Sequence, residues 1–128
     1  MKNGQIAIEF MSMMVIGIFM SMVMMVAFLV FMQDANADRK SAQIEDFGFK
    51  LQREIMLASE VHRGYERELN LPTQINGKYN YEVNNTNRLL LVSYDNTDLT
   101  YPIPEVSGTL EKGYNLLKNV GGHLVVIQ

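Results

Sequence analysis

The sequence contains no cysteine among its 128 residues. Disulfide bonds and thiolate metal sites are therefore excluded, and a folded domain must rely on its core or on assembly for stability. No block of like charge is present, since 11 basic and 14 acidic residues give a formal net charge of -3. Because nucleic-acid binding depends on clustered positive charge, no nucleic-acid partner is expected.

Ionisable residues are also missing between Phe10 and Met32. Roughly 20 apolar residues span the hydrocarbon core of a bilayer as an α-helix. A backbone surrounded by lipid must satisfy its own hydrogen bonds, so this run is predicted to be helical. The run therefore predicts a chain that meets a membrane or an equally apolar protein interior. About 96 residues follow it, which is enough for one small domain.

A short polar head precedes the apolar run and contains Lys2 and the lone carboxylate Glu9. It offers two competing processing sites. One is Gly4–Gln5, and the other follows Ala35-Asn36-Ala37, which has the small-x-small form of a conventional signal-peptidase site. The apolar run is longer than the roughly 7–15 residues of a conventional signal peptide, and Glu9 does not suit its positive head. Both observations argue against the second site.

The segment Asn3-Gly4-Gln5-Ile6-Ala7-Ile8-Glu9-Phe10 resembles the class III signal peptide of archaeal type IV pilin-like proteins. In that pattern a short basic leader ends in Gly and is followed by Gln, then by a Glu five residues into the mature chain, then by a long apolar helix. The resemblance implies that a prepilin peptidase cleaves between Gly4 and Gln5 on the cytoplasmic side. The apolar helix would then stay on the protein.

Glu9 lies at the edge of the apolar run, where a charge is costly unless it is paired or protonated. Cleavage would free the amine of Gln5, which lies one helical turn from Glu9 and could pair with it locally. The resemblance implies a second arrangement, in which the amine of one subunit pairs with Glu9 of its neighbour. Such a pair would fix the register of an assembly. The alternative is an interfacial glutamate that reaches the lipid headgroups.

Apolar residues recur at steps of three and four after Met32, which predicts an amphipathic continuation of the helix. Pro72 is expected to end it, because the residue before a proline avoids the helical region. The predicted apolar face consists of Ile44, Phe47, Leu51, Ile55, Ala58, His62, Tyr65 and Leu69.

The rest of the chain alternates in polarity between turn residues, which predicts about four to six short strands in an antiparallel sheet. The expected strands are 79–83, 88–94, 99–103, 114–118 and 123–127, the last two as a closing hairpin. Pro102 and Pro104 place 99–103 at an edge. The predicted fold is α+β, with a long N-terminal helix packed on a small antiparallel β domain. Its segments are a leader 1–4, an apolar membrane or filament-core helix 5–32, an amphipathic extension 33–70 and the β domain 71–128.

No nucleophile elbow, phosphate loop or glycine-rich fingerprint is present in the sequence, so no enzyme or cofactor is expected. His62 and His123 lack a second ligand at metal spacing and are interpreted as packing residues. The acidic residues Asp95, Asp98 and Glu105 are interpreted as ordinary turn residues, and no metal is expected. Asn84-Asn85-Thr86 fits the N-glycosylation pattern. It falls in a predicted surface turn over 84–87, which makes Asn84 a candidate acceptor.

The resemblance implies a structural subunit, a major or minor pilin, of an archaeal type IV pilus-like surface filament used in adhesion. Its partners would be a prepilin peptidase, copies of itself or other pilins, and the membrane before assembly. The precursor would lie in the cytoplasmic membrane with its N-terminus inside, and the mature protein at the cell surface. One alternative is a single-pass membrane-anchored ectodomain that binds a surface partner without polymerising. Another is a secreted protein cut after Ala37.

Overall fold

The computed structural model describes residues 2–86 and 88–128. The chain divides into two compact units, Met1–Arg39 and Lys40–Gln128. Within the described residues, one helix, α1 (Lys2–Glu60), contributes residues to both units, and seven strands complete the C-terminal unit. The predicted α+β class, with a long N-terminal helix and a small β domain, is confirmed.

In the N-terminal unit, residues 10–32 of α1 are apolar on all sides. Met13 is 75% exposed and Phe10 64% exposed, and none of the most apolar part of the helix is buried within the chain. The few polar groups are satisfied locally, because the hydroxyls of Ser12 and Ser21 donate to the carbonyls one turn earlier at 2.9 Å. The unit therefore presents an apolar surface without a partner inside its own chain.

In the C-terminal unit α1 is amphipathic, and the predicted spacing is confirmed over its last five turns. Ile44, Leu51, Ile55 and Ala58 are buried against the strands. Gly48 is also buried, and the ring of Tyr101 lies where a side chain at this position would project. This glycine lets the helix and the sheet approach closely.

The helix ends at Glu60, so the prediction that it extends to residue 70 is wrong. Asn119, which is 2% exposed, donates from its amide to the carbonyls of Ser59 and Val61 at 3.1 Å. These bonds satisfy carbonyls that a helix end leaves unpaired. Gly64 then turns the chain with a positive φ of 88°, which glycine adopts without strain.

Residues 66–71 form a strand, so the β region begins before residue 71 as well. The strands are β1 (Glu66–Leu71), β2 (Glu82–Thr86), β3 (Leu89–Tyr94), β4 (Thr97–Pro102), β5 (Val106–Ser107), β6 (Gly113–Val120) and β7 (His123–Ile127). They form two sheets rather than one, a four-stranded sheet in the order β1-β6-β7-β5 and a three-stranded sheet in the order β2-β3-β4. The β5–β7 pair is parallel and all other strand pairs are antiparallel.

Three strand predictions are confirmed. The segment 88–94 becomes the central strand β3, 99–103 becomes the edge strand β4, and the closing hairpin becomes β6 and β7. The prediction for 79–83 is wrong, because Tyr79 forms only an isolated bridge with Ile75 and strand β2 begins at Glu82. Asn76 and Gly77, which lie between Ile75 and Tyr79, both have positive φ and form a tight turn. Residues in this turn therefore do not pair with β3.

Candidate functional site

The predicted processing and register residues all lie in the first turns of α1. Gly4, Gln5 and Glu9 are helical, and each is exposed. Gln5 and Glu9 are four residues apart, so their positions fall on the same side of the helix. The cleavage and register roles stay predictions, because both concern contacts outside the single chain.

The exposed apolar surface of α1 extends from Ile6 to Met32, and we name it the apolar segment. Large exposed apolar surfaces mark contacts with a membrane or with another protein. The helix that carries the segment is long and apolar enough to cross a membrane, and a signal sequence meets the same criterion. Glu9 is the single ionisable residue within the segment.

Small residues make two shallow grooves along the apolar segment. Gly17 and Ser21 line one groove, and Ala7 and Ser12 line the other. Since each serine hydroxyl is bonded to the backbone of its own helix, it brings no unpaired donor to the groove. A second apolar helix could therefore approach closely at these points.

The sequon Asn84-Asn85-Thr86 lies in strand β2, so the prediction of a surface turn is wrong at these residues. Residue 87, the last of that predicted turn, lies outside the described residues. Asn84 and Thr86 are exposed, whereas Asn85 is 8% exposed. The amide of Asn85 donates to the carbonyl of Gly108 and accepts from the amide of Leu110, both at 2.7 Å. These two bonds, together with pairing to β3, hold the segment as a strand.

The histidines and acidic turn residues do not form a site in the described part of the chain. His62 follows the end of α1 and is exposed, so its predicted place on the apolar face is wrong. His123 begins β7 as predicted and is also exposed. Asp95 pairs with Lys40, and Glu105 lies 3.8 Å from Arg88. Within residues 2–86 and 88–128, no group of three His, Asp or Glu side chains could hold a metal ion.

Among the described residues, Tyr81 is the largest of the fully buried side chains, and its phenol ties the core to the backbone. Its hydroxyl donates to the carbonyl of Pro72 at 2.5 Å, and the ammonium of Lys112 lies 4.9 Å from its ring centroid. Burial disfavours the phenolate and raises the pKa of Tyr81 to about 12. The hydroxyl therefore keeps its proton, and its bond to the carbonyl of Pro72, to a higher pH than an exposed tyrosine would.

A groove of about 380 Å³ lies between α1 and the loop after β1 in the C-terminal unit. Its floor is apolar, with Phe47, Leu51 and Leu71, and Asp46 and Lys50 stand at its rim. Its described lining contains no serine, cysteine or histidine, so no nucleophile–base pair of the triad type is present there.

No family model, curated protein or solved structure matches this chain. The fold and the apolar segment define its class, an α+β protein whose N-terminal helix is long and apolar enough to cross a membrane.

Proposed function

We propose that this chain is a structural subunit of an archaeal type IV pilus-like surface filament, assembled through the apolar segment. One observation carries the proposal. The segment is exposed and apolar on every side, and it is interrupted by a single carboxylate, Glu9. An anchor that only crosses a bilayer gains nothing from a charge one residue from its apolar core, because burying an unpaired charge is costly. In an assembly this charge has a use.

Before assembly the subunit lies in the cytoplasmic membrane with its N-terminus inside. A prepilin peptidase then removes residues 1–4 and leaves Gln5 as the first residue. The motif at Gly4–Gln5 supports this step. The apolar segment stays on the protein, in contrast to a conventional signal sequence, which is removed together with its apolar run.

Assembly moves the apolar segment from lipid into contact with copies of itself or of related pilins. This transfer costs little, because the neighbouring helices are as apolar as lipid tails. The grooves at Gly17 and Ser21, and at Ala7 and Ser12, allow close approach of a second helix. A helix that is apolar all round suits a bundle in which each subunit has several neighbours. The C-terminal unit would serve adhesion at the cell surface.

Glu9 would set the register between neighbouring subunits. The amine of Gln5 of one subunit would pair with Glu9 of the next, so each charge would neutralise the other inside the bundle. Removing one partner of a buried ion pair costs about 3–5 kcal/mol, because the other charge is left without compensation. A helix shifted by one turn would pay the same penalty, and the correct register is thereby favoured.

The first test is the intact mass and N-terminal sequence of the protein extracted from the surface of its native cells. A chain that begins at Gln5 supports the proposal. A chain that begins at Met1 would indicate a membrane-anchored ectodomain, and one that begins at Asp38 a secreted domain. Either result would overturn the proposed function.

The second test compares filaments on cells that express Glu9→Gln with those on cells that express Asp34→Asn. Asp34 is an exposed acidic residue of the same unit, beyond the apolar segment, and serves as the matched control. We expect Glu9→Gln to reduce filaments at least about tenfold, given the energy of an unpaired buried charge, and Asp34→Asn to leave them unchanged. The intact mass of each variant must match a chain that begins at Gln5, so that a defect in assembly is distinguished from a defect in processing. Normal filaments with Glu9→Gln would refute the register role.

A further inference from the structure

The outward face of the three-stranded sheet carries an apolar patch beside the sequon. The strand register places Asn84 opposite Leu91, and Leu91 opposite Thr100. The next outward row contains Thr86, Leu89 and Pro102. Leu89 is 48% exposed, and Leu91 is partly exposed. The two leucines thus lie directly across the strand pair from the first and third residues of the sequon.

Side chains opposite each other on an antiparallel pair have Cβ atoms about 4.5–5.5 Å apart, and diagonal neighbours lie about 7–8 Å apart. A group attached to the amide of Asn84 therefore begins beside Leu91 and reaches Leu89 within its first two sugars. Strand β2 is an edge strand, so nothing in its own sheet lies beyond it. The amide of Asn84 is consequently open to a bulky substituent.

We propose that Asn84 carries an N-linked oligosaccharide whose first sugars lie over Leu91 and Leu89. The inference rests on the proposed function in one respect, since it requires the C-terminal unit to reach the extracytoplasmic side. Asn84 begins the single Asn-x-Ser/Thr tripeptide of the sequence. Asn85 is not an acceptor, because both ends of its amide are already bonded to Gly108 and Leu110.

The attachment is a group transfer from a lipid-phosphate-linked oligosaccharide, catalysed by a membrane-bound transferase of the same cell. The amide nitrogen Nδ2 of Asn84 attacks the anomeric carbon of the first sugar, and a nitrogen–carbon bond forms. The bond from that carbon to the phosphate oxygen breaks, the lipid phosphate leaves with the electron pair, and the released phosphate takes up the proton that the amide loses. No oxidation or reduction takes place.

The modification is tested by mass spectrometry of the full protein from native cells. Trypsin cleaves after Lys78 and Arg88 and releases the peptide 79–88, which contains the whole sequon. We expect this peptide to carry a glycan mass in the wild type and in Thr86→Ser, which preserves the motif. Asn84→Gln and Thr86→Ala, which destroy the motif, should lose it. An unmodified wild-type peptide overturns the proposal.

The position of the sugars is tested by thermal unfolding of the detergent-solubilised full chain. We expect Thr86→Ala to lower Tm by about 4 °C, the effect of a change near 1 kcal/mol in a small domain. In a Leu91→Thr background, which keeps the glycan but removes the apolar contact, the decrease should be at most half as large. Equal decreases in both backgrounds would overturn the placement over Leu91.

These outcomes are independent of those that test the filament. A chain that begins at Gln5 with an unmodified peptide 79–88 would refute the glycan and leave the filament proposal intact. A modified peptide on a chain that begins at Met1 would support the glycan and refute the filament proposal.

Discussion

Replacing Asn119 by alanine should destabilise the C-terminal unit strongly, because this one side chain closes the end of α1. Its two amide hydrogens are shared among the carbonyls of Ala58, Ser59 and Val61 at 3.4, 3.1 and 3.1 Å. Its carbonyl oxygen accepts from the backbone amide of Gly122 at 3.0 Å. The two amide hydrogens and the carbonyl oxygen can make one full hydrogen bond each, and three such bonds at about 1 kcal/mol each give a loss of roughly 3 kcal/mol in the free energy of unfolding. For a domain of about 60–100 residues, this lowers Tm by about 12–24 °C.

The assay is thermal unfolding of the full chain in detergent, followed by near-UV circular dichroism of its tyrosines. Asn119→Asp keeps the acceptor for Gly122 but loses both donors and places a negative charge at a helix C-terminus, so it should be at least as harmful as alanine. Asn70→Ala is the matched control, an exposed asparagine on β1, and should change the free energy of unfolding by less than about 0.5 kcal/mol. If Asn119→Ala stays within the same limit, Asn119 does not hold the helix end.

Two further predictions concern the contacts of α1 and the buried phenol. Gly48→Ala places a methyl group against the Tyr101 ring and should lower the free energy of unfolding by about 1–3 kcal/mol, measured by chemical denaturation. Gly17→Ala is its control, because no atom lies within contact distance of a side chain there. Equal stability of the two variants would contradict the close approach of helix and sheet. Because burial raises the pKa of Tyr81 from 10.0 to about 12, the unfolded chain loses this proton first as pH rises, and the free energy of unfolding should fall between these values. Unfolding titrations should show a smaller fall in Tyr81→Phe, and an identical fall would show that Tyr81 is not the group responsible.

Local periodicity was enough to predict the part of the fold that local contacts decide. The recurrence of Ile44, Leu51 and Ile55 fits one helix face and nothing else, and these residues are buried. Tyr65 and Leu69 are four residues apart and fit a helix, but Leu69 and Leu71 also alternate as a strand. The segment 66–71 forms a strand because β6 pairs with it residue by residue and because Asn119 bonds to the end of the helix before this segment. Both causes lie far along the sequence, since Lys118 follows its partner Glu66 by 52 residues and Asn119 follows Val61 by 58.

The candidate site divides in the same way. The apolar segment could be predicted from composition, since no ionisable residue follows Glu9 until Asp34. The polar run Asn84-Asn85-Thr86 favours a turn by propensity alone. In the fold it is a strand, because Asn85 bonds to Gly108 and Leu110, more than twenty residues away. Strand formation depends on such distant neighbours more than on intrinsic preference, so the outward patch beside Asn84 could not be inferred from the sequence.

The order β1-β6-β7-β5 has a consequence for biogenesis. Strand β6, which lies between β1 and β7, is synthesised after β2, β3, β4 and β5. Until it emerges, β1 has no partner in its sheet and the carbonyls at the end of α1 have no amide to bond them. Such long-range pairing makes folding slow relative to local contacts. The four-stranded sheet of a nascent chain therefore stays open at β1 until residues 113–120 have emerged, whereas the sheet β2-β3-β4 pairs consecutive strands and can form earlier.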